Sequence, residues 1–191
     1  MLSTALVIMG SPGPSNLSAA AVGAAFGARR AAPYVVGLAL GTMLVLLLVL
    51  AGFVSIVSAM PAAALAIRVL GALYILYLAL QIATAPPVLA TNADSRAPSF
   101  VGGVLLGIGN PKAYFAIAAV VAGVALLPDR PFADAVAKAV VLCVLIGFIQ
   151  AGWLYLGVLL SSLMQAPKSA RIINIGMAVA LVASAIISVL Q

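Results

Sequence analysis

The chain has 191 residues, of which 66% are hydrophobic and only 6% are charged, and its net charge at pH 7 is +6. Soluble domains carry about a quarter charged residues, so this composition excludes a soluble globular protein and predicts an all-α integral membrane protein. The positive charge is spread thinly over short loops, which predicts an orientation in the lipid bilayer and no nucleic-acid partner.

Six apolar stretches predict transmembrane helices, because about 20 apolar residues cross a hydrocarbon core of roughly 30 Å. We assign them to a single transmembrane domain, residues 1–191. The first stretch is not expected to be a cleavable signal peptide, since no basic residue precedes it. The predicted spans are residues 1–26, 34–58, 62–84, 99–126, 136–161 and 170–190.

The first predicted span is interrupted by the segment Gly10-Ser11-Pro12-Gly13-Pro14-Ser15-Asn16. Proline and glycine disrupt a helix, and lipid offers no water to the backbone groups that are freed. Such a break persists in a membrane only where it is buried in protein or lines a polar cavity. The segment therefore indicates a binding site of the kind found in transporters.

The fourth predicted span carries a second break, Gly109-Asn110-Pro111-Lys112. Lys112 lies about midway through this span, where a bare ammonium costs at least a few kcal/mol, so it should face protein or a water-filled cavity. It could attract a substrate carboxylate, helped by the N-termini of the half-helices at the two breaks. It could instead donate to the carbonyls freed by Pro12 and Pro14, or carry a proton itself.

The two breaks indicate an internal repeat. Placing Gly10 on Gly109 superposes Pro12 on Pro111 at matching positions in their spans. Short Gly-Pro matches also recur by chance, but the matched position favours a duplication. Three spans per repeat is an odd number, which predicts two inverted three-helix repeats, residues 1–84 and 99–191, with broken helices 1 and 4. Residues 85–98 form the predicted cytoplasmic linker.

Basic residues predict the orientation of the spans. Two basic residues on one side, Arg130 and Lys138, are offset by Asp129 and Asp134. The connections after spans one, three and five carry Arg29, Arg30, Arg96, Lys168 and Arg171. The excess of positive charge places these connections in the cytoplasm and both termini outside it.

Several motifs, taken in order, resemble the LysE/RhtB amino-acid exporter family. The resemblance implies a small exporter of amino acids or related metabolites in the inner (plasma) membrane, commonly driven by an ion gradient. It is strongest over residues 1–120 and weaker beyond. The motifs are Pro12-Gly13-Pro14-Ser15-Asn16, Gly37-Leu38-Ala39-Leu40-Gly41, residues 70–78, Phe100, Gly103 and Asn110-Pro111-Lys112-Ala113, followed by Asn174 and Gly176.

One position departs from that family, which often has an acidic residue directly after the second glycine of the span-two motif. Here that residue is Thr42, and the three acids Asp94, Asp129 and Asp134 fall in or beside loops. No carboxylate is therefore expected at the membrane centre for a proton relay, which leaves proton coupling and the substrate open. The same absence opposes a site for divalent cations, which need several oxygen anions.

Residues at the breaks and Thr42 form the predicted substrate-binding or coupling site. The neutral side chains of Ser11, Ser15, Asn16 and Asn110 could recognise an amino group or a carboxylate, and helix capping is at least as good a role for them. Thr42 is expected to bond to its own helix. We expect no catalytic residue, no metal site and no cofactor. The predicted site residues are Pro12, Gly13, Pro14, Ser15, Asn16, Thr42, Asn110, Pro111 and Lys112.

Other polar and small residues have packing roles by default. Gln150 and Asn174 are expected to join helices through their amides. The pairs Gly23/Gly27, Gly37/Gly41 and Gly103/Gly107 are expected to pack helices within one chain, although a homodimer stays open.

The predicted function is export of a small amino-acid-like solute by alternating access. The partner would be a small molecule, with a carboxylate as its expected anionic group. The alternative is a membrane scaffold or accessory subunit that keeps the fold and has lost transport, which the missing acid at Thr42 supports. An enzyme is disfavoured, because no nucleophile-base pair or metal-ligand set is present.

Overall fold

The computed structural model describes residues 1–52, 61–84, 97–161 and 167–190, and within these it has seven helices and no strand. The end of predicted span two, Arg96 and most of the predicted linker lie outside the described residues, as does the side chain of Lys168. The helices are α1 (Leu2–Gly10), α2 (Pro14–Leu50), α3 (Pro61–Ala83), α4 (Phe100–Gly109), α5 (Pro111–Gly123), α6 (Pro131–Ser161) and α7 (Pro167–Leu190).

Both predicted helix breaks are present. Helix α1 ends at Gly10 and α2 begins at Pro14, so the chain is non-helical between them. Helix α4 ends at Gly109 and α5 begins at Pro111, with Asn110 between them in an extended conformation and a bend of 59°. Helices α2 and α5 each begin with proline, which has no backbone N–H. The N–H of the first helical residue has no partner within the helix, so proline costs no hydrogen bond there.

The predicted connection between spans one and two, residues 27–33, is wrong because it is longer than the connection in the structure. Residues 28–33 are helical, and Gly27 alone leaves the helix, with φ 74° and ψ 164°. Tyr34 donates to Ser18 at 3.0 Å, whereas 16 residues of unbroken helix would separate the two by about 24 Å. The chain therefore reverses at Gly27, because glycine reaches a positive φ that makes a longer loop unnecessary.

Helix α6 begins at Pro131, five residues before the predicted start of span five at residue 136. The prediction began where the apolar run begins, but Asp134, which precedes that run, has partners in the helix and in the segment before it. The carboxylate of Asp134 pairs with Lys138 at 2.6 Å and accepts from the backbone of Leu126 and Leu127. This pair also confirms that Asp134 offsets the charge of Lys138.

By length and composition alone, two helices are long and apolar enough to cross a membrane, namely α2, which reverses at Gly27, and α6. The bent pair of α4 and α5 counts as a third if it forms one span. Helices α3 and α7 contain the shorter apolar segments Val69–Ala83 and Arg171–Ile187. The described residues thus give two or three candidate spans, and the six-span inverted repeat stays a prediction.

Glycines let α2 approach two other helices closely. A Cβ at Gly37 or Gly41 would collide with the carbonyls of Phe100 and Val104 in α4. Gly103 and Gly107 lie equally close to the backbone of α2. These two pairs confirm the expected packing within one chain. In the third pair only Gly23 packs, against Leu154 of α6, since Gly27 forms the turn.

The apolar side chains divide between the interior and the outer surface. Leu38, Leu106 and Ile117 are completely buried in the core. Large apolar side chains on the outside, such as Leu80 and Phe148, are 67% and 73% exposed. A surface of this kind suits a lipid environment, because lipid tails satisfy apolar groups that water would not.

Candidate functional site

The end of α1 leaves backbone carbonyls without helical partners, and the first break supplies side chains for two of them. The hydroxyl of Ser11 donates to the carbonyl of Ile8 at 2.7 Å. The amide of Asn16 donates to the carbonyls of Met9 at 2.8 Å and Ser11 at 2.9 Å. All three hydrogen bonds come from side chains of the break itself, which therefore caps part of the helix that it ends.

The second half of the chain supplies further donors to the carbonyls of the first break. The indole N–H of Trp153 donates to the carbonyl of Gly10 at 3.1 Å. The Nζ atom of Lys112 donates to the carbonyls of Ser11 at 2.8 Å and Pro12 at 2.9 Å, and to the hydroxyl of Ser11 at 2.7 Å. Non-helical backbone inside an apolar bundle is thus tolerated because protein groups replace water as its partners.

The second break is organised by Asn110. Its side-chain oxygen caps α5 by accepting from the backbone N–H of Lys112 at 3.2 Å. Its amide donates to the hydroxyl of Ser15 at 2.6 Å, which connects it to the first break. Asn110 and Ser15 are both buried. The capping role expected for Asn110 is therefore confirmed, and the two breaks are in direct contact.

A cavity of about 40 Å³ lies where the two breaks meet. Its apolar wall includes Ile117, Ile146 and Ile149. Its polar lining comes from both halves of the chain and consists of Ser15, Asn16, Thr42, Asn110, Lys112 and Gln150. The volume has room for a water molecule, but an amino acid would require the walls to move apart.

Gly13 also lines the cavity, and its role is steric. A Cβ at this position would lie 2.6 Å from Cδ and 2.9 Å from Nζ of Lys112. The backbone of Gly13 is extended, with φ −172°, so other residues could adopt its conformation. The absence of a side chain is therefore what lets Lys112 reach the carbonyls of the first break.

Most of the predicted site residues come together here. The cavity lining includes Gly13, Ser15, Asn16, Thr42, Asn110 and Lys112. The three prolines set the backbone instead. Pro14 and Pro111 begin α2 and α5, and the carbonyl of Pro12 accepts from Lys112. Thr42 donates to the carbonyl of Leu38 at 2.9 Å, which confirms its expected bond to its own helix.

The contacts of Lys112 match the carbonyl-binding alternative. An ammonium group has three N–H donors, and the three acceptors on Ser11 and Pro12 use all of them. Among the residues that the structure describes, Lys112 is also the one charged residue that lines the cavity. On its other side it borders a groove of about 430 Å³ together with Val7, Ile8 and Phe115. Lys112 therefore separates the cavity from this groove.

Three residues belong to this site that the predicted set leaves out: Ser11, Gln150 and Trp153. Gln150 donates to Asn16 at 3.4 Å, so it joins helices as expected, but it also lines the cavity. Gln150 and Trp153 are three residues apart in the apolar part of α6, and such a spacing puts two side chains on one helix face. This polar pair was the available signal for the face of α6 that meets the break.

The comparison with protein families is decisive for this chain. A family described as LysE type translocator matches residues 6–190, which is nearly the whole chain. The chain belongs to the LysE type translocator family. Membership implies membrane transport of amino acids or similar small solutes, in agreement with the apolar helices. No curated protein and no solved structure matches the chain.

Proposed function

We propose that this LysE family chain exports amino acids or related small metabolites across the cytoplasmic membrane by alternating access. The observation that carries the proposal is the contact between the two helix breaks at a polar cavity inside an apolar bundle. Asn110 reaches Ser15 at 2.6 Å there, and Lys112 reaches Ser11 and Pro12. Polar groups are costly inside a membrane protein, so their concentration at one place favours a role in binding a polar solute.

The charge of Lys112 favours a solute with a carboxylate. The polar groups that line the cavity with it are neutral, and no carboxylate is among them. The N-termini of α2 and α5 begin at the same place and add positive partial charge. Because all three donors of Lys112 are in use, a carboxylate would be attracted at a distance or would replace one of the carbonyls.

The proposed movement follows from the size of the cavity and the position of Lys112. A cavity of about 40 Å³ must widen before an amino acid enters. Release of Lys112 from Ser11 and Pro12 would connect the cavity with the neighbouring groove. We assign the movement to two inverted repeats, residues 1–84 and 99–191, which residues 85–98 connect. In this arrangement both termini lie outside the cytoplasm. The proposed role is transport alone, without enzymatic activity.

The test is counterflow of a panel of labelled amino acids into proteoliposomes that contain the purified protein. We expect saturable exchange of at least one amino acid, with protein-free liposomes as the control. Thr42 in place of an acid, and the fully bonded Lys112, favour the alternative of a transport-inactive scaffold with the same fold. Absence of exchange for every solute would support that scaffold and contradict the proposed export.

A further inference from the structure

Gln150 presents an unusual group to the cavity. It lies in α6, lines the cavity, and is only 4% exposed. Its side-chain oxygen Oε1 is buried and has no hydrogen-bond partner among the residues that the structure describes. Buried polar atoms nearly always have partners, so an unpaired acceptor at a cavity points to a ligand.

The hydrogen-bond partners around Gln150 determine which way its amide group is turned. The carbonyls of Met9 and Ser11 can only accept, so Asn16 must turn its NH₂ group toward them. The oxygen of Asn16 then faces Gln150, which must donate its own NH₂ group, at 3.4 Å. Oε1 of Gln150 is therefore the amide atom left without a partner. The first break fixes this orientation through Asn16.

A second acceptor lines the same cavity. The hydroxyl hydrogen of Thr42 is donated to the carbonyl of Leu38 at 2.9 Å, so the Thr42 oxygen can only accept from a ligand. The three donors of Lys112, in contrast, are in use. Gln150 and Thr42 thus match a ligand group that donates several hydrogen bonds.

We infer that Oε1 of Gln150, together with the oxygen of Thr42, accepts hydrogen bonds from the protonated amino group of the transported solute. The inference rests on the proposed export function and assigns one end of its binding site. An ammonium group supplies three donors and no acceptor, which complements these two oxygens. The carboxylate of the same amino acid would then lie toward Lys112. The site should therefore select primary α-amino acids over analogues without the amine.

The test compares an exported amino acid with its α-hydroxy acid, which lacks the amine, as competitors of counterflow. For the wild type we expect the amino acid to compete at least about tenfold better, because the hydroxyl offers one neutral donor where the ammonium offers three charged ones. In Gln150→Met, which has similar length but no acceptor, this ratio should fall toward one. Gln150→Glu keeps an acceptor and should keep the preference.

Gln81→Met is the matched control, since Gln81 is bonded to Tyr77 in α3 and does not line the cavity. Its ratio should equal that of the wild type. If Gln150→Met fails to fold, Gln150→Glu and Thr42→Val test the inference in its place. We expect Thr42→Val to lower the competition ratio and Gln150→Glu to keep it.

An equal competition ratio in wild type and Gln150→Met would overturn the inference alone, as would a wild type that exchanges amino acids without preference for the amine. A wild type that exchanges no solute would overturn the proposed export and the inference together.

Discussion

Asn110 donates a hydrogen bond of 2.6 Å to Ser15, although the two residues are 95 positions apart in the chain. Each lies at a helix break, one beside Pro14 and the other beside Pro111. The bond therefore joins the two interruptions of the bundle at the wall of the cavity. A hydrogen bond between buried neutral groups contributes about 0.5–1.5 kcal/mol, so it also stabilises the contact between the halves.

A double-mutant cycle of Ser15→Ala and Asn110→Ala should detect this bond. Each substitution alone should lower the free energy of unfolding, because it leaves a buried partner unpaired. The double variant should lose less than the sum, by about 0.5–1.5 kcal/mol. Thermal unfolding in detergent measures all of them.

Ser161→Ala serves as the control in a second cycle with Asn110→Ala. Ser161 bonds to Val158 within its own helix, so these two substitutions should be additive. Additivity in the first cycle as well would contradict a direct bond between Ser15 and Asn110.

Lys112→Met should impair both stability and transport. It keeps most of the apolar stem but removes every donor to the carbonyls of Ser11 and Pro12. We expect a loss of about 1–3 kcal/mol in the free energy of unfolding and at least about a tenfold loss of counterflow, since the break loses its ionic partner.

Lys138→Met separates these two effects. Lys138 is buried, whereas Lys112 is half-buried; it too donates to a carbonyl, that of Val121, but it does not line the cavity. Lys138→Met should lower the free energy of unfolding by a similar amount. Its counterflow per folded protein should change little. Equal losses of counterflow in the two variants would argue that Lys112 acts only through stability.

Gly13→Ala should reduce transport through Lys112. The new Cβ would lie 2.9 Å from Nζ and would displace the ammonium from its carbonyl partners. Counterflow should fall, as we expect for Lys112→Met, because both substitutions weaken the contacts between Lys112 and the carbonyls of the first break. Gly176→Ala is the control, as nothing lies within 4 Å of a Cβ there. Wild-type counterflow in Gly13→Ala would contradict the steric role of Gly13.

Gly27→Ala should destabilise the reversal between the two limbs of α2. A Cβ there meets nothing within 4 Å, so the cost comes from the positive φ of 74° alone. Because ψ is 164°, this conformation is nearly exclusive to glycine, and we expect a loss of about 1–3 kcal/mol, measured by thermal unfolding. Gly147→Ala is also free of contacts but lies within α6, where alanine favours the helix. If Gly27→Ala and Gly147→Ala had equal free energies of unfolding, a side chain at position 27 would cause no backbone strain.

The sequence predicts the breaks well because proline in an apolar stretch has few physical solutions. Pro12 and Pro111 must interrupt their helices, and the freed carbonyls must find partners inside the protein. Lys112 follows from the same reasoning, since a charge at that depth needs acceptors. These local rules require no knowledge of which helices are neighbours.

Residues that act across the bundle are harder to predict. Trp153 and Gln150 reach the first break from α6, and no local pattern says which helix packs there. The sequence does not predict the turn at Gly27 either, because Arg29 and Arg30 indicate a longer connection that a single glycine replaces. Contacts between distant segments depend on tertiary packing, which neither periodicity nor composition encodes.

The central claim is that a transported solute occupies the cavity between the two breaks. Thr42→Cys tests it in a Cys143→Ala background, which removes the native cysteine. Reaction with a small membrane-permeant maleimide should slow about tenfold when an exported amino acid is present at about ten times its half-saturating concentration. Gly147→Cys, away from the cavity, should react at an unchanged rate. Equal rates for Thr42→Cys with and without the amino acid would contradict the claim.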